Sequence, residues 1–241
     1  LAGLYGDLKA SREGQSSLLD RTICATAGAA GCGITLGTRA VVDSEAIGGN
    51  RLFINWGSNT AVTNSHLWVR MVEAQRRGAT IVTIDPFQSR TAERSDIWLP
   101  IRPGTDAALA LGIAHVLLRD NLVDRDYLAR HAKGLEEFTR RAMAEYSPGQ
   151  ASVMCGLEEA AIEHLARLYG STRPSLIRLN YGLQRHGGGG MAVRAITCLP
   201  AITGDWRHPG ARALLSTSQS YPTRSDFEFQ RMDLIPQGTR T

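Results

Sequence analysis

The sequence predicts a doubly wound α/β fold, a mostly parallel sheet with helices on both faces. Three observations carry this expectation. Short β-branched or apolar runs alternate with longer helical periods, first at 51–56, 65–77 and 80–85. The predicted strands end in polar, turn-forming loops, where such folds place their ligands. No internal repeat occurs, and the longest apolar stretch, 107–118, is broken by His115 and falls short of the ~20 residues of a membrane helix.

The elements follow in order. Residues 1–50 are rich in Gly, Ala, Ser and Thr and show little periodicity. Arg51-Leu-Phe-Ile-Asn-Trp56 reads as a buried strand closed by Gly57. Leu67, Val69, Met71, Val72 and Ala74 mark a helix capped by Asn64 or Ser65 and stopped by Gly78. Thr80–Asp85 is a second strand, completing a right-handed βαβ unit, and 97–101 is a third. An apolar helix then spans 107–119, followed by amphipathic helices at 124–131 and 135–145, a turn at Ser147-Pro148-Gly149 and a helix at 157–169. A fourth strand at 175–181 runs into the glycine loop 187–190 and a helix over 191–203, after which the pattern weakens.

Composition narrows the function classes. Of 241 residues, 43% are hydrophobic and 21% charged, which excludes disorder and fibrous folds. The net charge is +4, and 25 of the 27 basic residues are arginine. They are scattered along the chain, unlike the clustered cations of a nucleic-acid binder, so no nucleic-acid partner is expected. Arginine suits phosphate and carboxylate recognition, which keeps an anionic ligand open. Cysteines at 24, 32, 155 and 198 form no C-x-x-C, and six dispersed histidines give no zinc spacing. A start at Leu1 leads to the expectation of a piece of a longer protein, with any targeting signal upstream.

Four polar loops fall on one edge of the expected sheet, at 57–60, 85–88, 103–106 and 182–186. Together they suit an extended ligand such as a dinucleotide. Gly57 lets backbone approach a phosphate. Asn59 either bonds a ligand or caps its own turn. Asp85 either meets a ribose hydroxyl or serves the turn before Pro86. Asp106 either caps the helix that follows or accepts two adjacent donors, the pattern guanine presents. His186 is the one histidine expected near a ligand, and Cys24 is either an inert core thiol or a ligand for a soft metal. The glycines of 28–33 lack a preceding strand and so fail the context of a dinucleotide fingerprint.

These segments in combination resemble the molybdopterin oxidoreductase family of the dimethyl sulfoxide reductase type. The resemblance rests on Asp20-Arg-Thr-Ile-Cys-Ala-Thr-Ala-Gly28, Trp56-Gly-Ser-Asn59, Ile84-Asp-Pro86 with Arg90-Thr-Ala92, and Leu99-Pro-Ile-Arg-Pro-Gly-Thr-Asp106. It continues with Tyr181-Gly-Leu-Gln-Arg-His186 and 195–204, covering about four fifths of the chain. Membership implies a bis(molybdopterin guanine dinucleotide) cofactor on molybdenum or tungsten. By that resemblance Asn59, Asp85, Pro86, Gly104 and Asp106 hold one guanine dinucleotide, with Asp106 on the base, and Gly57 is expected among the cofactor-binding residues beside them. Gly182 and Gln184 face the pterin, and Cys24 is the candidate metal ligand. Ala25 stands where the formate dehydrogenase pattern has histidine, which argues against formate.

The resemblance also implies a division of the chain. Residues 1–45 are expected to connect and to carry the metal-ligand loop, 46–210 to form a Rossmann-like dinucleotide-binding domain, and 211–241 to be an irregular tail toward a missing domain. A [4Fe–4S] cluster is expected in a missing amino-terminal part, so the piece alone would be inactive. Arg90, Arg102 and Arg185 are candidates to neutralise pyrophosphate, with surface ion pairs as the alternative. Expected partners are a small-molecule redox substrate, other domains of the chain, and an iron–sulfur or membrane-anchor electron-transfer subunit, with no direct membrane insertion. A cytoplasmic location is expected, with periplasmic as the alternative. The competing readings are a cofactor-free structural descendant, as in the large iron–sulfur subunit of respiratory NADH dehydrogenase, and a free-standing nucleotide-binding module.

Overall fold

The computed structural model describes residues 25–37 and 42–216. Five strands form one parallel sheet: β1 Leu52–Trp56, β2 Thr80–Ile84, β3 Ile97–Leu99, β4 Ser175–Leu179 and β5 Arg212–Leu214. Their spatial order is β3-β2-β1-β4-β5. β1 lies at the centre, with Phe53 in register with Ile81 on one side and Leu176 on the other. All residues of β1 and β4 are buried, the continuous pattern of central parallel strands.

The helices are α1 Thr26–Leu36, α2 Thr60–Thr63, α3 Ser65–Arg76, α4 Asp106–Arg119, α5 Arg125–His131, α6 Leu135–Glu145, α7 Pro148–Cys155, α8 Glu159–Ser171 and α9 Gly189–Thr203. Strand periodicity divides the core into two. Ile54, Trp56, Val82, Ile84, Ile177 and Leu179 pack with residues of α4, α8 and α9. Phe53, Ile81, Leu176 and Leu214 pack with Leu67, Trp68 and Met71 of α3. The β1-to-β2 crossover thus covers one face, and the β3-to-β4 and β4-to-β5 crossovers cover the other, as right-handed connections require when strand order reverses. The expected α/β architecture is present.

Three elements depart from the sequence reading. Ser147-Pro148-Gly149 does not form an isolated turn; it opens α7. The Ser147 hydroxyl accepts from Gln150 N at 3.3 Å, and Gln150 Oε1 accepts from Ser147 N at 2.9 Å, a complete capping box with proline in the first helical turn. Arg212–Leu214 lies in the segment expected to be an irregular tail, yet it pairs with Leu176–Arg178 as β5. Three residues carry no readable alternation, and the pairing comes from tertiary contact. Buried Arg178 reinforces that edge by donating from Nη1 to the Leu214 and Leu215 carbonyls at 3.2 and 2.7 Å.

The third departure is α1, a regular helix in a stretch expected to connect. Its contact face is made of glycine, which apolar periodicity does not register. A Cβ on Gly31 would lie 2.3 Å from the Gly190 carbonyl of α9, and one on Gly190 would lie 2.9 Å from the Ala27 carbonyl. The two helices therefore pack backbone to backbone. Gly31→Ala is expected to destabilise the protein by about 1–3 kcal/mol through overpacking. Gly33→Ala, whose Cβ meets nothing within 4 Å, is expected to stabilise it by about 0.5–1 kcal/mol through helix propensity. Thermal unfolding of the two variants checks these opposite signs.

Candidate functional site at the carboxyl edge of the sheet

Strand order reverses between β1 and β4, so their chain continuations leave toward opposite faces and open a crevice at the carboxyl edge. The crevice floor is a close contact. Gly57, just after β1, has φ +57°, and a Cβ there would come within 3.0 Å of the Leu183 Cβ and 3.1 Å of the Leu183 nitrogen. Gly182 approaches in return, its Cβ position 3.3 Å from the Gly57 carbonyl. The Gly57 amide donates to the Ile84 carbonyl at 2.9 Å, prolonging the β1–β2 ladder to the point where the chain turns away.

The β1 and β2 loops are tied by Thr91. Its hydroxyl donates to Asn59 Oδ1 at 2.9 Å and accepts from Ala61 N at 2.9 Å. Asn59 therefore does not cap α2 with its side chain, although it occupies the cap position. Asp85 is half-buried, and its Oδ1 accepts from Phe87 N at 3.0 Å, closing the turn through exposed Pro86. Burial holds the Asp85 carboxyl above the usual carboxylate range, against the lowering effect of the Phe87 amide. Trp98 braces this loop from β3, donating from Nε1 to the Asp85 carbonyl at 2.9 Å.

Asp106 is the most constrained group of the site. It stands in the first turn of α4, while the cap position is Thr105, which makes no side-chain capping bond. The carboxylate is 5% exposed, and Oδ1 accepts from Trp56 Nε1 at 2.8 Å. Desolvation raises its pKa above the ordinary value; the Trp56 bond, the hydrogen bond from its own backbone amide and the charge of His186 oppose that shift, and the charge of Asp85 adds to it. Gly104, at φ +80°, makes the turn leading into α4, and a Cβ there would sit 3.7 Å from the His186 Cβ. The β3 and β4 loops thus face each other across Asp106.

Gln184 is 4% exposed. Its Oε1 accepts from the Gly28 amide in the first turn of α1, and its Nε2 is buried without a partner. Of the sequence candidates, Gly57, Asn59, Asp85, Pro86, Gly104, Asp106, Gly182 and Gln184 all lie on this edge, and His186 joins them. Cys24 lies outside the described residues. Arg102 Nη1 donates to the Val153 and Met154 carbonyls at 3.2 and 2.9 Å, closing the end of α7. Sequence reasoning missed Trp56 and Thr91 as organising residues, although both lie in quoted motifs. A buried tryptophan at a strand end needs an acceptor for its N–H, and that requirement was the available signal.

A family model described as molybdopterin oxidoreductase matches residues 25–228. The probable oxidoreductase YoaE of Bacillus subtilis is 43% identical over 222 residues, 91% of this chain and 32% of that protein. Dimethyl sulfoxide reductase DmsA of Escherichia coli is 39% identical over 150 residues, 54% of this chain and 18% of that protein. The F420-dependent formate dehydrogenase subunit alpha of Methanocaldococcus jannaschii is 34% identical over 149 residues, covering 62% and 22%. Among solved structures, acetylene hydratase from Pelobacter acetylenicus superposes with a TM-score of 0.68 at 27% identity, covering 78% of this chain and 25% of that one. The chain spans a third or less of the length of these relatives. On the family match and these likenesses, the chain belongs to the molybdopterin oxidoreductase family.

Proposed function

We propose that this chain is the central nucleotide-binding domain of a molybdenum or tungsten oxidoreductase and holds a molybdopterin guanine dinucleotide along the carboxyl edge of its sheet. The observation that carries this reading is Asp106, a buried acid in the first turn of α4 whose carboxylate is oriented by Trp56 and held against its own desolvation. A group in that state gains most from a ligand with two adjacent donors, and the ring N–H and exocyclic amine of guanine match it. Gly57 and Gly104, both at positive φ, would let backbone approach the dinucleotide, with Asn59, Asp85 and Pro86 along the same wall. The unpartnered Nε2 of Gln184 fits a pterin acceptor, with Gly182 beside it.

Cys24, two residues before α1 in the sequence, would ligate the metal. When bound, the cofactor supplies the two-electron chemistry, and this chain's residues fix its position and orientation. Trp56 orients the Asp106 carboxylate, Thr91 holds Asn59, and Gln184 ties the start of α1 to the loop after β4. We further propose a second guanine dinucleotide and a [4Fe–4S] cluster contributed by parts of the protein beyond this chain. A partner subunit would carry electrons onward from a small-molecule redox substrate. No described helix is long and apolar enough to cross a membrane. The cofactor-free alternative predicts loss of the site acids, and Asp85 and Asp106 are both present at the crevice.

Full-length protein made anaerobically with molybdate and tungstate is expected to release about two GMP per chain on acid hydrolysis under this two-dinucleotide reading. Asp106→Asn is expected to lose a clear share of that GMP. No GMP in a folded protein, from a host that loads a control molybdoenzyme, would contradict the proposal. A second expectation concerns the apo-protein. Because the folded pKa of Asp106 is raised, the folded state binds its proton more tightly, so stability falls as pH rises from the unfolded pKa toward the folded one. Asp106→Asn is therefore expected to unfold at a higher temperature than the parent at pH 7 and at the same temperature below the carboxylate range. A variant less stable than the parent at pH 7 would show instead that the carboxylate serves the fold.

A further inference from the structure

A second recess lies at the opposite end of the sheet. α9 starts beside Gln184 and runs 15 residues, roughly 22 Å at the helical rise, to the amino-terminal edge. There a cavity of about 490 Å³ opens between the ends of α1 and α9, the α5–α6 turn and the start of β5. That volume lies within the range of small-ligand sites, about 300–1,000 Å³. Its walls mix polar groups with apolar and aromatic ones, Phe138, Trp206 and Tyr127 being the largest aromatic side chains.

Its charge is one-sided. His131, Lys133 and Arg212 line the cavity, and no acid lines it among the described residues. Tyr127 and Cys198 also face it, and burial raises both their pKa values, so neither adds negative charge at neutral pH. Beside Tyr127, Asp124 and Asp126 are already paired with Arg207 at 3.1 Å each, and Arg207 itself stacks over the Tyr127 ring.

Two donors at the wall lack acceptors. Arg212 lies over the Trp206 ring, 5.7 Å from its centroid, and both Arg212 Nε and Trp206 Nε1 are buried without a hydrogen-bond partner. Buried donors left this way are destabilising, and small shifts at the cavity wall would let an acceptor satisfy them. Arg212 also has φ +117°, a conformation that non-glycine residues rarely adopt and that concentrates at ligand sites.

We propose that this cavity is a second ligand site, separate from the dinucleotide crevice, for a small anion with a planar apolar body, such as an aromatic carboxylate. The apolar walls bury the body, and Arg212, Trp206 and Lys133 supply donors and positive charge to the anionic end. This assignment depends on no feature of the carboxyl-edge site.

The test uses 1-naphthoate and its uncharged analogue 1-naphthamide with the full-length protein. Binding is followed by calorimetry, and alkylation of Cys198 by iodoacetamide is followed by mass spectrometry. Naphthoate is expected to bind saturably, at least about 10-fold more tightly than the amide, and to slow Cys198 alkylation. Arg212→Gln is expected to weaken naphthoate about 10-fold, and exposed Lys133→Gln, which leaves the fold untouched, about 3-fold. No saturable binding, equal affinity for the amide, or affinity unchanged in both variants would overturn the proposal. So would a Cys198 that reacts only after unfolding, because the recess would then be filled by another part of the protein.

Discussion

The contact between the loops after β1 and β4 is the constraint on which the rest depends. Parallel strands whose continuations diverge leave a gap at their carboxyl ends, and a gap in the middle of a sheet must be closed at its base. Gly57 against Gly182 and Leu183 closes it at a separation where an added Cβ would crowd its neighbour and, at Gly57, would also strain a left-handed backbone. With the base fixed, Trp56 is held at the end of β1, and its indole N–H sets the Asp106 carboxylate across the crevice. The same β4 loop carries Gln184 to the start of α1 and His186 to Gly104. One seam thus registers four loops that are far apart in sequence.

The two ends of the sheet are electrically different. At the carboxyl edge, burial raises two acids, the charge of Asp85 adds to the shift of Asp106, and neither has a cationic hydrogen-bond partner among the described residues. At the amino edge, basic groups line a recess that has no acid in its wall. On the surface, Arg119, Asp120, Glu163 and Arg167 pair in one network. Exposed pairs of that kind contribute little to stability.

Much of this was legible in the sequence. β-branched runs closed by Gly57 and Asp85-Pro86 marked the central strands, and their loops marked the edge. Legibility ended where structure depends on something other than side-chain pattern. α1 packs through glycine, β5 is a three-residue pairing, and α7 starts at a serine–proline–glycine sequence whose capping box needs Gln150 to be seen. At the site, residue types for Asn59 and Asp106 allowed both a cap and a ligand role. The structure adds partners that residue type does not reveal, because Thr91 takes Asn59, whose side chain leaves α2 uncapped, and Trp56 takes Asp106. Arg102 carries a role the sequence did not suggest, its Nη1 tying off the last carbonyls of α7.

The central claim is that Asp106 is kept buried for a guanine base. A crystal structure of the full-length protein loaded with its cofactor tests it most directly. The account predicts the Asp106 carboxylate at hydrogen-bond distance, about 2.7–3.0 Å, from both the guanine ring nitrogen and its exocyclic amine, with the Trp56 bond retained. A guanine bound elsewhere, with Asp106 still contacting Trp56 alone, would contradict it.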